Sequence, residues 1–171
     1  MRLAAARELG SMNERELADA IRPLWEDARP LVPRLVGGRF GSWEDWITAV
    51  EAELAAASDE FRAEVLRAHP RLGEDPAVLE RQSRLSWAEQ GGDRRADLDT
   101  VRRLHDLNRR YESRFGFRCV EWVAGRPLSA IADVMEVRLS NDRSTELEKG
   151  SAALVAIARD RLGRLEVEDS V

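Results

Sequence analysis

The sequence has few of the side chains that bind transition metals or form disulfides. Its 171 residues include one cysteine, Cys119, and two histidines, His69 and His105. A single cysteine excludes an internal disulfide and a cysteine-rich metal cluster. Two histidines far apart in the sequence also argue against a dedicated transition-metal site, which takes several nitrogen or sulfur ligands. We therefore expect no bound metal ion.

Long apolar runs and phosphate-binding loops are missing as well. No stretch approaches the ~20 apolar residues of a membrane span, and the first residues, MRLAAARELG, lack the apolar core of a signal peptide. There is no GxxxxGK[ST] loop and no GxGxxG motif. The 27 basic and 32 acidic residues give a net charge of -5, whereas nucleic-acid binders usually carry a basic surplus. We expect a cytoplasmic protein that binds neither membrane nor nucleic acid.

The apolar residues that are present recur mainly at helical spacing. This pattern predicts an all-α fold, a single domain over residues 1–171, with about seven to nine helices in one bundle and no real sheet. The longer helices are predicted at about 11–22, 42–57, 58–69, 75–90, 97–115, 128–140 and 145–162, with one or two short helices between 24 and 40.

Cap and stop residues set several of these boundaries. Ser11 followed by Glu14 predicts a capping box for the first helix. Ser42 and Ser58 are predicted to cap the next two long helices. Pro70 disfavours helical backbone in the residue before it, so the helix that begins at Ser58 is expected to end near His69.

Two segments are expected to lie outside the helices. The stretch from Phe117 to Val123 mixes aromatic and β-branched residues with charged ones, but no partner strand is evident elsewhere. We predict that it is extended and largely buried rather than part of a sheet. The acidic tail after Leu165 is expected to be loose.

His69 is the first candidate for chemistry. An imidazole at a helix end suits general acid/base catalysis near neutral pH. The alternative is a histidine that only stabilises the negative end of the helix dipole. His105 lies among charged residues and is expected to be solvated.

A second cluster lies on one predicted helix face, since Ser86, Glu89 and Gln90 are three and four residues apart. Trp87 is adjacent and could form a pocket wall. The alternative for this cluster is a solvated helix end. Arg161 follows an apolar stripe, where a partly buried guanidinium would clamp a carboxylate or ureido oxygen, although a surface ion pair is the simpler alternative.

These residues occur in motifs that resemble those of the 2-oxo-4-hydroxy-4-carboxy-5-ureidoimidazoline (OHCU) decarboxylases of urate degradation. The motifs have that family's order and spacing between about residues 58 and 165, and the resemblance is weaker before residue 58. They are AHPRLG (68–73), LSWAEQ (85–90), LNRRY (107–111), RFGF (114–117), RLSN (138–141) with Glu146, and IARDRL (157–162).

The resemblance implies an α-helical bundle that acts as a homodimer, without cofactor or metal, and decarboxylates OHCU to (S)-allantoin. It places His69 as the general acid/base, with Glu89 beside it as orienter and charge partner. The substrate-binding positions it implies are Pro70, Ser86, Trp87, Ala88, Glu89, Gln90, Cys119, Val120, Glu121, Trp122, Val123 and Arg161.

Departures from the family pattern leave alternatives open. Cys119 and Glu121 replace residues that are usually apolar there, and Trp87 is bulkier than usual. One alternative is a paralogue that acts on a related ureido or imidazoline acid, and another is a non-catalytic helical interaction module. Independently, the apolar surface of Trp25, Trp43 and Trp46 is expected to exceed what one small core can bury, which also favours a homodimer.

Overall fold

The computed structural model describes residues 2–26, 29–74 and 98–167. These residues form α-helices joined by turns, with one short 3₁₀ helix at Ala6–Ser11. The α-helices are α1 (Glu14–Trp25), α2 (Val32–Leu35), α3 (Trp43–Ala56), α4 (Asp59–Ala68), α5 (Leu98–Phe115), α6 (Leu128–Arg138) and α7 (Arg143–Leu162). The all-α prediction is confirmed, while the helix predicted at 75–90 lies outside the described residues.

Among the described helices, the predicted caps are confirmed at two and wrong at one, and the last helix begins earlier than predicted. Ser42 and Ser58 accept backbone hydrogen bonds at the starts of α3 and α4. The capping box of α1 is formed by Asn13 and Glu16 instead of Ser11 and Glu14. The reason is that residues through Ser11 belong to the 3₁₀ helix, so α1 begins later. Asp142 caps α7, which starts at Arg143 rather than near Thr145.

Helix α7 lies at the centre of the bundle and packs against α1, α3 and α4. Its contact with α4 is close because Gly150 faces Leu66, where a Cβ on the glycine would come within 2.8 Å of the leucine side chain. Helices α5 and α6 pack against each other. In the ranges described, no helix is long and apolar enough to cross a membrane.

The segment from Phe117 to Val123 lies outside helix and strand, as predicted. Phe117, Cys119, Val120 and Val123 are buried, but Trp122 is 42% exposed. At the start of the tail, Glu166–Val167 forms a parallel two-residue pairing with Arg2–Leu3. This pairing is too small to change the fold class.

Three tryptophans are used inside the chain rather than on its surface. Trp25, Trp43 and Trp46 are all buried. Trp46 contacts both of the others, with ring centroids 5.6 Å and 5.9 Å apart. The expectation that these tryptophans leave excess apolar surface for a subunit contact is therefore wrong, because all three are buried in one core, with Trp46 between the other two.

Candidate active site

His69 ends helix α4, as the proline after it predicts. Its backbone is extended, with φ -73° and ψ 143°, and its N–H donates to the Leu66 carbonyl. Pro70 is buried. The His69 side chain is 11% exposed. The helix end therefore holds the imidazole inside the protein, with little contact to solvent.

The carboxylate of Glu26 lies beside this imidazole. Its Oε2 is 3.5 Å from His69 Nδ1, and its Oε1 accepts a 2.8 Å hydrogen bond from Arg161 Nη2. Arg161 is fully buried and also donates to the Leu24 carbonyl at 3.1 Å. The ends of α1 and α4 and the last turn of α7 thus bring an acid, an imidazole and a guanidinium together.

Sequence reasoning missed Glu26. The predicted helix ends at about residue 22, whereas α1 continues through Pro23 to Trp25, so only the structure places Glu26 at a helix C-terminus. An acidic residue there is electrostatically unfavourable and calls for a compensating partner. That partner, Arg161, lies 135 residues from Glu26 in the sequence. The pairing therefore depends on the tertiary fold.

The chain on both sides of His69 is tied to α5 and to the segment after it. Arg118 donates to the His69 carbonyl at 2.7 Å. Arg71 makes a two-pronged pair with Glu112 at 2.7 and 2.8 Å, and this hydrogen bonding raises the pKa of Arg71. Asn108 donates to the Leu72 carbonyl at 2.8 Å. The AHPRLG and LNRRY motifs therefore serve to hold the His69 turn in place.

The second tertiary network holds the segment 119–123. Arg138 donates to the Val120 carbonyl at 2.7 Å, to Glu121 at 2.9 Å and to Glu146 at 2.8 Å. Tyr111 donates a short hydrogen bond to the same Glu146 carboxylate. Burial raises the pKa of Tyr111, so its hydroxyl stays protonated as a donor.

Cys119 lies against this network, fully buried. Burial raises the pKa of the thiol to about 12. A protonated thiol is a poor nucleophile, so this cysteine is not suited to covalent catalysis. Its place in the chain suits packing beneath the backbone of Val120 to Val123.

A cleft of about 1050 Å³ lies next to His69 and is rich in charge. Ala68 and Pro70, the two chain neighbours of His69, line it together with Glu26. Its other charged residues are Glu14, Asp19, Arg15, Arg22, Arg29, Arg67 and Arg118. Because arginines outnumber acidic residues in the cleft, its net positive charge would attract an anionic molecule toward His69.

The predicted site residues fall into three groups. His69, Pro70 and Arg161 converge around Glu26, and the segment 119–123 is joined to His69 through Arg118. The positions Ser86, Trp87, Ala88, Glu89 and Gln90 lie outside the described residues. The exposed side chain of His105 agrees with its prediction. In the ranges that the structure describes, no group of three or more His, Cys, Asp or Glu side chains could hold a metal ion.

Comparisons with known proteins give a consistent result. The sequence profile of the family described as OHCU decarboxylase matches residues 10–163. The 2-oxo-4-hydroxy-4-carboxy-5-ureidoimidazoline decarboxylase of Haloferax volcanii is 30% identical over 162 residues, which is 91% of this chain and 92% of that protein. The uric acid degradation bifunctional protein PucL of Bacillus subtilis is 26% identical over 94% of this chain, which spans 32% of PucL.

Solved structures show the same fold. A crystal structure of (S)-allantoin synthase matches 94% of this chain and 54% of its own, with a TM-score of 0.63 and 17% identity. A crystal structure of OHCU decarboxylase in the presence of (S)-allantoin matches 85% of this chain and 96% of its own, with a TM-score of 0.63 and 19% identity.

Proposed function

The chain belongs to the OHCU decarboxylase family and is a decarboxylase, and from that premise we propose that its substrate is OHCU and its product (S)-allantoin. The feature that supports this most is His69, held in a buried turn beside Glu26 and Arg161. An imidazole in this position is suited to proton transfer at neutral pH, which is the transfer that this reaction requires.

In the proposed reaction the bond between the ring carbon and its carboxylate breaks, and carbon dioxide leaves. The electron pair of that bond moves into the neighbouring imine, which leaves an enol with a double bond between the two ring carbons. A proton then adds from one face to the adjacent ring carbon, which carries the ureido group, and this gives a single enantiomer. The hydroxyl group on the first carbon loses its proton and becomes a carbonyl. His69 acts as the general acid/base in these reaction steps, and Glu89 is proposed as a further charge partner of the imidazole.

The substrate-binding part of the proposal uses both tertiary networks. The backbone of Cys119 to Val123, held by Arg138 and carrying the side chains of Glu121 and Trp122, is proposed to contact the substrate ring. Pro70 and Arg161 are proposed to border the substrate next to His69, and Ser86 to Gln90 to complete the pocket. Hydrogen-bond donors placed in this way stabilise charge that develops on the substrate during the reaction.

Two further expectations accompany the proposal. We propose a homodimer on the basis of the family resemblance alone, because the three buried tryptophans lend it no support. A cytoplasmic location likewise stays a prediction.

The test is the rate of (S)-allantoin formation from freshly generated OHCU, followed by circular dichroism with spontaneous decay subtracted. Replacement of His69 by alanine or asparagine should lower turnover by about 100- to 10,000-fold, the usual loss for a missing general acid/base. His105→Gln is the matched control and should keep near-normal turnover, because His105 is exposed on α5 and a glutamine amide can replace its 3.2 Å contact with the Gly73 carbonyl.

Each alternative has its own outcome. Turnover of a related ureido acid but not of OHCU would favour the paralogue. A folded His69→Ala protein with near-normal turnover would overturn the role of His69. Inactivity of the wild-type protein on every such acid would favour the interaction module.

A further inference from the structure

Glu26 occupies its position against three unfavourable local effects. Its backbone has φ 58° and ψ -108°, in the positive-φ region that residues other than glycine rarely adopt. Its carboxylate is buried. It also lies at the C-terminal end of α1, where the helix dipole disfavours negative charge. Strained backbone of this kind persists only when surrounding structure holds it, and it clusters at functional sites.

The surrounding contacts give each carboxylate oxygen a different neighbour. Oε1 accepts from Arg161 Nη2 at 2.8 Å, and Arg161 is itself anchored on the Leu24 carbonyl. Oε2 is 3.5 Å from His69 Nδ1, longer than an ordinary N–H···O hydrogen bond, so the carboxylate acts on the ring through its charge. A guanidinium group has only donors, so Arg161 holds the acceptor Oε1 of Glu26 next to itself. The other carboxylate oxygen, Oε2, then faces the imidazole.

The backbone of His69 is fixed by independent contacts. Its N–H donates to Leu66 and its carbonyl accepts from Arg118. These backbone contacts fix neither the rotation of the imidazole ring nor which ring nitrogen carries the proton. A carboxylate beside Nδ1 favours a proton on that nitrogen and leaves the Nε2 lone pair available.

We propose that Glu26 is a positioning residue that, held by Arg161, keeps His69 in the Nδ1–H tautomer and presents Nε2 to the substrate. The proposal rests on the assignment of His69 as the general acid/base. It adds a carboxylate from the end of α1 to the site. The Arg161–Glu26 pair thus acts on the reaction through the imidazole.

The first experiment reads the tautomer directly in the wild-type protein. Long-range ¹H–¹⁵N correlation spectra distinguish the two neutral imidazole tautomers, and with only two histidines the signals are assigned by comparison with His105→Gln. The proposal predicts Nδ1–H for neutral His69. The Nε2–H tautomer would overturn it, and this result needs neither substrate nor an active enzyme.

The second experiment uses Glu26→Gln. Arg161 can only donate, so the amide oxygen should stay on its side and the NH₂ group should face His69 Nδ1. An NH₂ group there donates to Nδ1, so the neutral ring should switch to Nε2–H. Turnover should fall by about 10- to 100-fold, the usual effect of losing a partner that orients a functional side chain, with a smaller change in KM.

Controls separate this role from a structural one. Glu51→Gln removes an exposed carboxylate paired with Arg159 and should leave tautomer and turnover unchanged. Glu26→Asp keeps a carboxylate and should retain Nδ1–H and part of the turnover. A loss of turnover in Glu26→Gln with an unchanged tautomer would contradict the proposal. Absence of wild-type activity on OHCU would contradict the proposed function, while the wild-type tautomer still decides the role of Glu26.

Discussion

Within residues 2–26, 29–74 and 98–167, two buried arginine–glutamate pairs differ in what surrounds them. Arg138 and Glu146 are enclosed by Tyr111, Glu121 and backbone carbonyl groups, and both residues lie within regular helices. Arg161 and Glu26 have a strained backbone on one side and an imidazole on the other. Burying two charges has a desolvation cost in either case. The comparison indicates that the first pair holds a segment of chain, whereas the second orients a titratable group.

The largest stability effect is expected at the first pair. Both carboxylate oxygens of Glu146 accept hydrogen bonds, one from Asn141 and the other from Arg138 and Tyr111. In Glu146→Gln the amide NH₂ would therefore face a donor in either orientation. The Arg138 charge would also lose a partner. The free energy of unfolding should fall by about 3 kcal/mol, at the low end for breaking a buried pair because Glu121 keeps its contact with Arg138. Urea unfolding followed by circular dichroism measures the change. A loss as small as that of an exposed pair would show that Glu146 does not hold the network.

An alkaline pH should weaken the same network. The folded-state pKa of Cys119 is raised to about 12 by burial, and that of Tyr111 is raised as well. A raised pKa of a neutral acid means that its stabilising effect is complete below the unfolded-state pKa and is lost as pH rises above it. The free energy of unfolding should therefore decline above about pH 8.5, by up to about 1.4 kcal/mol per pH unit for each group.

Cys119→Ala is the control for this loss of stability. It should remove the part of the fall in unfolding free energy that begins near pH 8.5, because that part comes from the thiol. The same thiol should react with a disulfide reagent only after unfolding. Rapid labelling of the native protein would show that Cys119 is accessible and would remove the basis of the pH prediction.

The smallest effect is expected at an exposed pair close in sequence to Arg161. Arg159 pairs with Glu44 at 2.7 Å and Glu51 at 2.8 Å, with half-exposed side chains. Exposed pairs contribute about 0 to 1 kcal/mol. Glu51→Gln should therefore change the free energy of unfolding by less than about 1 kcal/mol. A change as large as that in Glu146→Gln would mean that burial does not distinguish these pairs.

The sequence predicts the fold where the determinants are local. Ser42, Ser58 and Pro70 act through the backbone within a few residues, so the bounds of α3 and α4 follow from them. At the start of α1, Ser11 and Asn13 are both suitable caps, and the preceding 3₁₀ helix decides between them.

The site is predictable only in part, for the same reason. The position of His69 at a helix end depends on its neighbour Pro70, whereas the pairing of Glu26 with Arg161 depends on how α1 and α7 pack. The burial of Trp46 between two other tryptophans is likewise a property of the assembled core. Charge, burial and long-range pairing therefore have to be read from the structure.

The most direct test of the contrast between the two pairs is a side-by-side measurement of kcat and KM for (S)-allantoin formation by Glu26→Gln and Glu146→Gln. Both rates are taken per folded molecule under conditions in which each variant remains native. The account predicts that Glu26→Gln loses mainly kcat, because the imidazole is misoriented, and that Glu146→Gln mainly raises KM, because segment 119–123 is loosened. Equal losses of kcat in the two variants, with KM unchanged in both, would contradict it.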